Sequence, residues 1–189
     1  LAGAGITRMM AELGADIIKI ELPDTGDGAR FLPVVLDNGR SAWFVQHNRG
    51  KKSLCVDWNT PEGLQIIKDL VPQVDVVAEN TGTPEILAKR GLDYENLRKL
   101  NPNVIMASVS AFGRSGPRAH EAGYEALMQA FSGVMSITGE PDSAPVRCGV
   151  SALDIMTGTL CAFGAIAAIL HRQKTGLGQR IDGSLFDTS

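Results

Sequence analysis

Lys52-Ser53-Leu54-Cys55-Val56-Asp57-Trp58, followed almost at once by Thr60-Pro61-Glu62, joins two kinds of secondary structure. The first part alternates polar and apolar side chains, the period of a strand with one face buried. The second part is a helix start. Thr60 caps, Pro61 takes the first position, where no N–H is needed, and Glu62 sets negative charge in the first turn. The spacing carries that helix to about Leu70. A strand feeding directly into a helix is the repeating unit of an α/β sheet, and the same unit recurs on both sides. Upstream, Ile6, Met9, Met10 and Leu13 predict a helix over 4–13, Gly14 stops it, and the β-branched run Asp16–Glu21 is a strand. Downstream, strands are expected over 74–79, 104–109 and 179–185. Helices are expected up to Gly91, from Asp93 to Leu100, over 124 to about 136, and over 151–174. Residues 31–50 follow neither period and read as loop with at most short structure. The class is therefore α/β, a mostly parallel sheet with helices on both faces. Such sheets bind ligands at the carboxyl ends of their strands. The loops starting at Glu21, Asn80 and Ser110 are expected to open on that one edge.

The chain has 189 residues, of which 44% are hydrophobic and 21% charged, with a net charge of −3. That is a globular composition, long enough for one domain with a sizeable core. It gives no general attraction for nucleic acid or an anionic membrane. Cys55, Cys148 and Cys161 form no CxxC pair, so neither a zinc site nor a disulfide framework is indicated, and a reducing cytoplasm fits. The uncharged run Ile155–Leu170 is short of the roughly 20 residues that span a bilayer, and its Gly, Ala and Thr content suits a closely packed buried helix. The first residue is Leu1 and the last stretch reads as an element just beginning, so the chain is expected to be part of a longer domain.

Gly3-Ala4-Gly5 has no third glycine, Arg8 standing there, so a dinucleotide fingerprint is not supported, and no P-loop or nucleophile-elbow motif occurs. The histidines do not pair at metal-ligand spacing. His171 sits at the basic end of the long helix, where it suits the dipole, and His47 and His120 fall in segments read as loop. Asn48-Arg49-Gly50-Lys51-Lys52 is a compact basic run. It is either a solvated surface or a phosphate clamp, in which Gly50 lets the backbone approach and Arg30 joins from the neighbouring loop. Ser151-Ala152-Leu153-Asp154 has the form of a capping box, worth about 0.5–2 kcal/mol and no chemistry. By spacing alone the cap is the better reading of Asp154. The same place also suits a nucleophilic carboxylate, with helix amides holding its charge and an apolar helix behind it excluding water.

Several separate motifs then carry a resemblance over essentially the whole chain. They are Gly14-Ala15-Asp16-Ile17-Ile18-Lys19-Ile20-Glu21 with Pro23, Gly26-Asp27 and Arg30; Asn48–Ser53; Glu79-Asn80 and Gly91-Leu92-Asp93-Tyr94; Phe112-Gly113 with Gly116-Pro117; Gly123-Tyr124-Glu125 with Gln129-Ala130 and Ser132-Gly133; Asp154 with Thr157-Gly158; and Arg172 with Lys174-Thr175-Gly176 and Gly178-Gln179. Together they resemble the family III CoA-transferases, the family that also contains α-methylacyl-CoA racemase. The resemblance implies a Rossmann-like large domain over residues 1–189, a small domain beyond it, and an interlocked homodimer. It implies coenzyme A as acyl-CoA substrate, a carboxylic acid acceptor, no metal, and an aspartyl-CoA thioester on Asp154. It places nucleotide binding at Arg30, Asn48, Arg49, Gly50, Lys51, Lys52, Asn80 and Lys89, and the acyl site at Tyr124 and Glu125. Racemases of the family carry a His base at the position of Tyr124, and a phenol with pKa near 10 is a poor base, so the resemblance favours transferase over racemase. The loop Asn80-Thr81-Gly82-Thr83-Pro84 departs from the family pattern. A third reading is a CoA-binding piece in which Asp154 only caps.

Overall fold

The computed structural model describes all residues, 1–189. In chain order the elements are α1 (Ala2–Glu12), β1 (Ile17–Glu21), α2 (Ala42–Asn48), β2 (Lys51–Cys55), α3 (Pro61–Leu70), β3 (Val76–Glu79), α4 (Pro84–Arg90), α5 (Tyr94–Leu100), β4 (Ile105–Ser110), α6 (Glu125–Phe131), α7 (Ala152–Thr175), β5 (Arg180–Ser184) and α8 (Leu185–Thr188). The α/β class holds, with every strand pair parallel. The sheet is divided, however. β1 pairs with β2 from Ile17↔Lys51 to Glu21↔Cys55, while β4 lies between β3 and β5. Between the two sheets runs a cleft of about 420 Å³, lined by β1, β3 and Gly3, Ala4 and Thr7 of α1. Of the three loops expected on one edge, Glu21–Asp27 and Glu79–Thr81 meet at this cleft. The third is tied to it through Arg114, which reaches the Glu79 carboxylate at 2.6 Å and the Gly82 carbonyl at 2.7 Å.

The core gathers on β4, whose residues are buried from Ile105 to Val109. Ile6 and Met10 of α1, Met128 of α6, and Leu153, Cys161, Ala162 and Ala165 of α7 complete it. The small residues of α7 permit close packing. A Cβ on Gly158 would lie 2.7 Å from the Ala2 carbonyl oxygen, so α1 crosses α7 almost backbone to backbone. That crossing brings the first turn of α1 beside the first turn of α7. Helix α7 has 24 residues and holds an 18-residue stretch with a mean hydropathy of 1.9, so by length and composition alone it could cross a membrane, longer than its uncharged run suggested. In this fold its inner face packs on α1, β4 and β5. Its outer face leaves Met156, Leu160, Phe163 and Leu170 exposed.

Three local expectations are corrected. Residues 42–48 are helix α2, not loop, because the residues it buries are the polar His47 and Asn48 while Ala42 to Val45 are only half-buried. This inversion conceals the apolar stripe on which periodicity depends. Helix α6 stops at Phe131, and after Gly133 at φ +88° a short 3₁₀ turn covers Val134–Ile137. Strand β2 ends at Cys55, so Trp58 lies outside it. The cap on α3 is as expected: the Thr60 hydroxyl accepts from the Gly63 N–H at 3.1 Å.

Candidate active site

The first turn of α7 is capped by a side chain from another helix. Ser151 makes no capping bond, so the capping box fails. Glu125, opening α6, does this work instead. Its Oε2 accepts from the Asp154 N–H at 2.6 Å, and its Oε1 from the Leu153 N–H at 3.2 Å. Gln129, one turn on, donates to the same Oε1 at 2.6 Å and accepts from the Cys148 N–H at 2.9 Å. Glu125 is 5% exposed and Gln129 fully buried. Two buried side chains thus stitch α6, the segment before α7 and the α7 N-terminus together, and the cap leaves the Asp154 side chain free for other work.

Asp154 itself is 8% exposed. Burial, the largest influence, pushes its carboxyl above the usual carboxylate range, and the Glu125 charge pushes the same way. The amino group of Leu1, 3.9 Å away, the Ala2 N–H and His47 oppose them. A carboxylate that is poorly solvated, aimed by a fixed helix end and backed by apolar residues is a stronger nucleophile than one in water. Asp154 opens into a small groove between α1 and α7, whose lining also includes Leu1, Gly5, Arg8, Met9, His47, Ile155 and Thr159. Sequence reasoning left His47 undecided because its helix went unrecognised.

The other predicted residues do not all converge. Tyr124, the residue just before α6, is 68% exposed beside the buried Glu125, so the pair splits into an outward phenol and an inward carboxylate. Both Glu125 oxygens are already engaged inside the protein, which suits a structural support for Asp154 better than a contact to an acyl group. Arg30 donates from Nε and Nη2 to Glu21 at 2.9 and 2.8 Å and lies over the Phe44 ring. Ser53 and the Asp27 N–H complete the Glu21 shell, and these bonds, Arg30 foremost, hold its carboxyl below the usual range. The basic run does not form one clamp. Arg49 pairs with Glu12, Lys52 with Asp16 at 2.6 Å, and Lys51 turns inward to the Ala4 carbonyl at 2.9 Å and Asn48 Oδ1 at 3.2 Å. Along a strand successive side chains leave on opposite faces, which separates them. Burial lowers the Lys51 ammonium to about 8. Gly50, at φ +77°, supplies the turn from α2 into β2. Asn80 packs its side chain against Gly3 at the cleft, where a Cβ on Gly3 would meet its Oδ1 at 2.6 Å. Lys89 is exposed on the last turn of α4. No group of three or more His, Cys, Asp or Glu side chains is arranged to hold a metal.

The profile described as CoA-transferase family III matches residues 1–189. The chain is 45% identical over 193 residues to the succinate–glutarate CoA-transferase of Agrobacterium fabrum, covering 99% of this chain and 48% of that protein. It is 41% identical over 187 residues to the succinyl-CoA–D-citramalate CoA-transferase of Chloroflexus aurantiacus, covering 99% and 46%. Among solved structures, a CaiB/BaiF family protein from Brucella suis superposes with a TM-score of 0.92 at 42% identity, covering 100% of this chain and 50% of that one. The chain spans about half the length of the curated relatives it matches.

Proposed function

The chain belongs to CoA-transferase family III, and we propose that, as the CoA-binding and catalytic large domain of a longer enzyme, it moves CoA from an acyl-CoA donor to a carboxylic acid through Asp154. The Asp154 carboxylate attacks the donor thioester carbonyl, forming a mixed anhydride and expelling CoA thiolate. The thiolate attacks the Asp154 carbonyl of that anhydride, forming an aspartyl-CoA thioester and releasing the donor acid. The acceptor carboxylate then attacks this thioester, giving a second anhydride and thiolate. Attack of the thiolate on the acceptor acyl carbon yields the new acyl-CoA and returns the Asp154 carboxylate. Each intermediate holds Asp154 in an anhydride or thioester that water could hydrolyse, so water must be kept out. The observation that carries the reading is the burial of Asp154 in an apolar helix end capped by Glu125.

The relatives' names supply a substrate class. Succinate, glutarate and D-citramalate are dicarboxylates, so a dicarboxylic acceptor is the first to test. Arg30, Asn48, Arg49, Gly50, Lys51, Lys52, Asn80 and Lys89 remain the proposed nucleotide anchors, with Tyr124 at the acyl site. Because Arg49, Lys51 and Lys52 have internal partners, they serve CoA only if those partners are exchanged for phosphate. The exposed apolar stripe Met156–Leu160–Phe163–Leu170 supports a further covering of α7 in the full enzyme, as an interlocked homodimer with a small domain beyond residue 189 supplies. Three free cysteines agree with a reducing cytoplasm. The test is to assay the full-length enzyme with succinyl-CoA and a panel of mono- and dicarboxylic acids. Formation of new acyl-CoA that depends on Asp154 supports the proposal. Deuterium entering the donor α-carbon without any acceptor, and no new thioester, would instead establish the racemase reading.

A further inference from the structure

The divided sheet leaves two strand edges facing each other. β1 has β2 on one side only, and β3 has β4 on one side only. Every residue from Ile17 to Glu21 and from Val76 to Glu79 lines the cleft between them, so strand edges, not one face of a sheet, form its walls. In a parallel strand the N–H and C=O of one residue point to the same side, and those of the next residue to the other. The Glu21 carbonyl accepts from the Val56 N–H at 2.9 Å, and the Asp75 carbonyl from the Ile105 N–H at 3.1 Å. Glu21 and Asp75 thus point away from the cleft, toward β2 and β4. By alternation Ile18, Ile20, Val76 and Ala78 turn their backbone groups into it. Such an edge is a template for another strand. β3 is accordingly only half-buried, while β4, paired on both sides, is buried from Ile105 to Val109.

The course of the chain says what fits there. α1 starts at the carboxyl end of the cleft, where Gly3 packs against Asn80 just past β3. It runs to the amino end, where the turn at Gly14, φ +98°, delivers the chain to Ile17 of β1. A helix running this way across parallel strands is a crossover, with one strand behind it and one ahead of it. We infer that the cleft seats a further parallel strand, formed by the residues directly before Leu1 in the longer chain and hydrogen-bonded to β1 on one side and β3 on the other. Its length is four or five residues, like its neighbours. The chain spans 48% of the Agrobacterium fabrum relative, so a polypeptide of that length has residues to supply it. The cleft covers both faces of such a strand. Ala4 and Thr7 of α1 lie over one, and Val71, Leu87 and Leu97 over the other. β4 marks the same two faces: Ala107 belongs to the core around α1 and α7, and its neighbour Met106 to the core around Leu87 and Leu97. A strand buried on both faces is apolar in succession rather than alternating. One continuous sheet then runs β2, β1, added strand, β3, β4, β5. Its order reverses at the added strand, between the Glu21–Asp27 and Glu79–Thr81 loops, which is where open parallel sheets bind ligands. The same peptide link turns the Leu1 ammonium, 3.9 Å from Asp154, into an uncharged amide. The inference stands on the sheet and is independent of the reaction assigned to Asp154.

The test uses the unsubstituted full-length protein, isotope-labelled for NMR, and depends on no variant folding. The residues just before Leu1 should contain an apolar run free of proline, and its backbone protons should show cross-strand contacts to β1 and to β3. Hydrogen exchange supplies a second reading with an internal control. An open edge gives an alternating pattern, with the Val77 amide, which faces β4, protected and the amides of Val76 and Ala78 exchanging at least about tenfold faster. A seated strand removes the alternation. The amides of Ile18, Ile20, Val76 and Ala78 should then exchange about 10³-fold or more slowly than in an unstructured peptide, together with those of the run before Leu1. Alternating exchange along β3 overturns the inference. So do contacts made directly between β1 and β3, or contacts from these edges to a second copy of the chain or to residues after Ser189, even where all four amides are protected.

Discussion

The N-terminus of α7 and the basic run at 48–52 make an instructive contrast. At α7 the proposed nucleophile is a single side chain and its surroundings come from afar: Glu125 and Gln129 from α6, Ala2 from α1 with Leu1 just before it, His47 from α2. At 48–52 the charges are neighbours in sequence and scattered in space: Arg49 and Lys52 each pair with a carboxylate, and Lys51 donates to a backbone carbonyl. A reactive carboxylate needs a fixed, dry setting that only tertiary structure can build. A phosphate anchor needs charge that a ligand can recruit, and exposed, separately paired cations can supply it.

Substitutions can break this contrast, the largest effect first. D154N should reduce turnover by ~10³-fold or more, because no other group supplies the nucleophile. It should not destabilise the fold. The folded-state pKa of Asp154 is raised, so its stabilising form is the protonated one, present at low pH and lost as pH rises through the folded value. Asn mimics that neutral form at every pH, so the melting temperature of D154N should equal or exceed that of the unsubstituted protein above this range.

E125A should leave the Leu153 and Asp154 N–H groups and the Gln129 amide without their buried acceptor. Each orphaned group costs about 1–3 kcal/mol, measurable in urea unfolding, and turnover should fall as α7 loses its fixed start. R30A should cost about 1–3 kcal/mol by stranding the buried Glu21 carboxylate, an amount reduced because Arg30 is partly exposed. Glu21 has a depressed folded pKa, so its contribution is present above the unfolded value, near 4.5, and lost as pH falls through the folded one. In R30A the loss of stability in acid should accordingly be shallower.

Lys51 and Lys52 give the smallest effects, and opposite kinds. K52A removes a pair in which both side chains are 70% exposed, and should change stability by less than ~0.5 kcal/mol. Lys51 has its folded pKa lowered to about 8 from 10.5, so its charged form works against folding below that range. Stability should rise with pH between about 8 and 10.5, and K51M should abolish that rise.

Much of the fold was legible because strand and helix periods alternate cleanly from Lys52 to Val109, and because Thr60-Pro61-Glu62 is an unambiguous helix start. Helix α2 was not, since it buries polar His47 and Asn48 and exposes part of its apolar side. The break between the sheets was not, since pairing partners leave no local trace in sequence. At the site, Asp154 could be picked out by its position before an uncharged run. Its cap could not, because a Ser three residues before an Asp imitates a capping box while the true acceptor, Glu125, lies 29 residues away. Lys51 and Lys52 looked equivalent in sequence, and only the alternation of the strand sends one inward and the other to solvent.

The central claim is that Asp154 reacts covalently. The direct measurement is hydroxylamine or borohydride trapping of the full-length enzyme during incubation with acyl-CoA, followed by peptide mass spectrometry. The account predicts an adduct on Asp154 that forms only with acyl-CoA and is absent in D154N. An unmodified Asp154 in an enzyme that is turning over would contradict it.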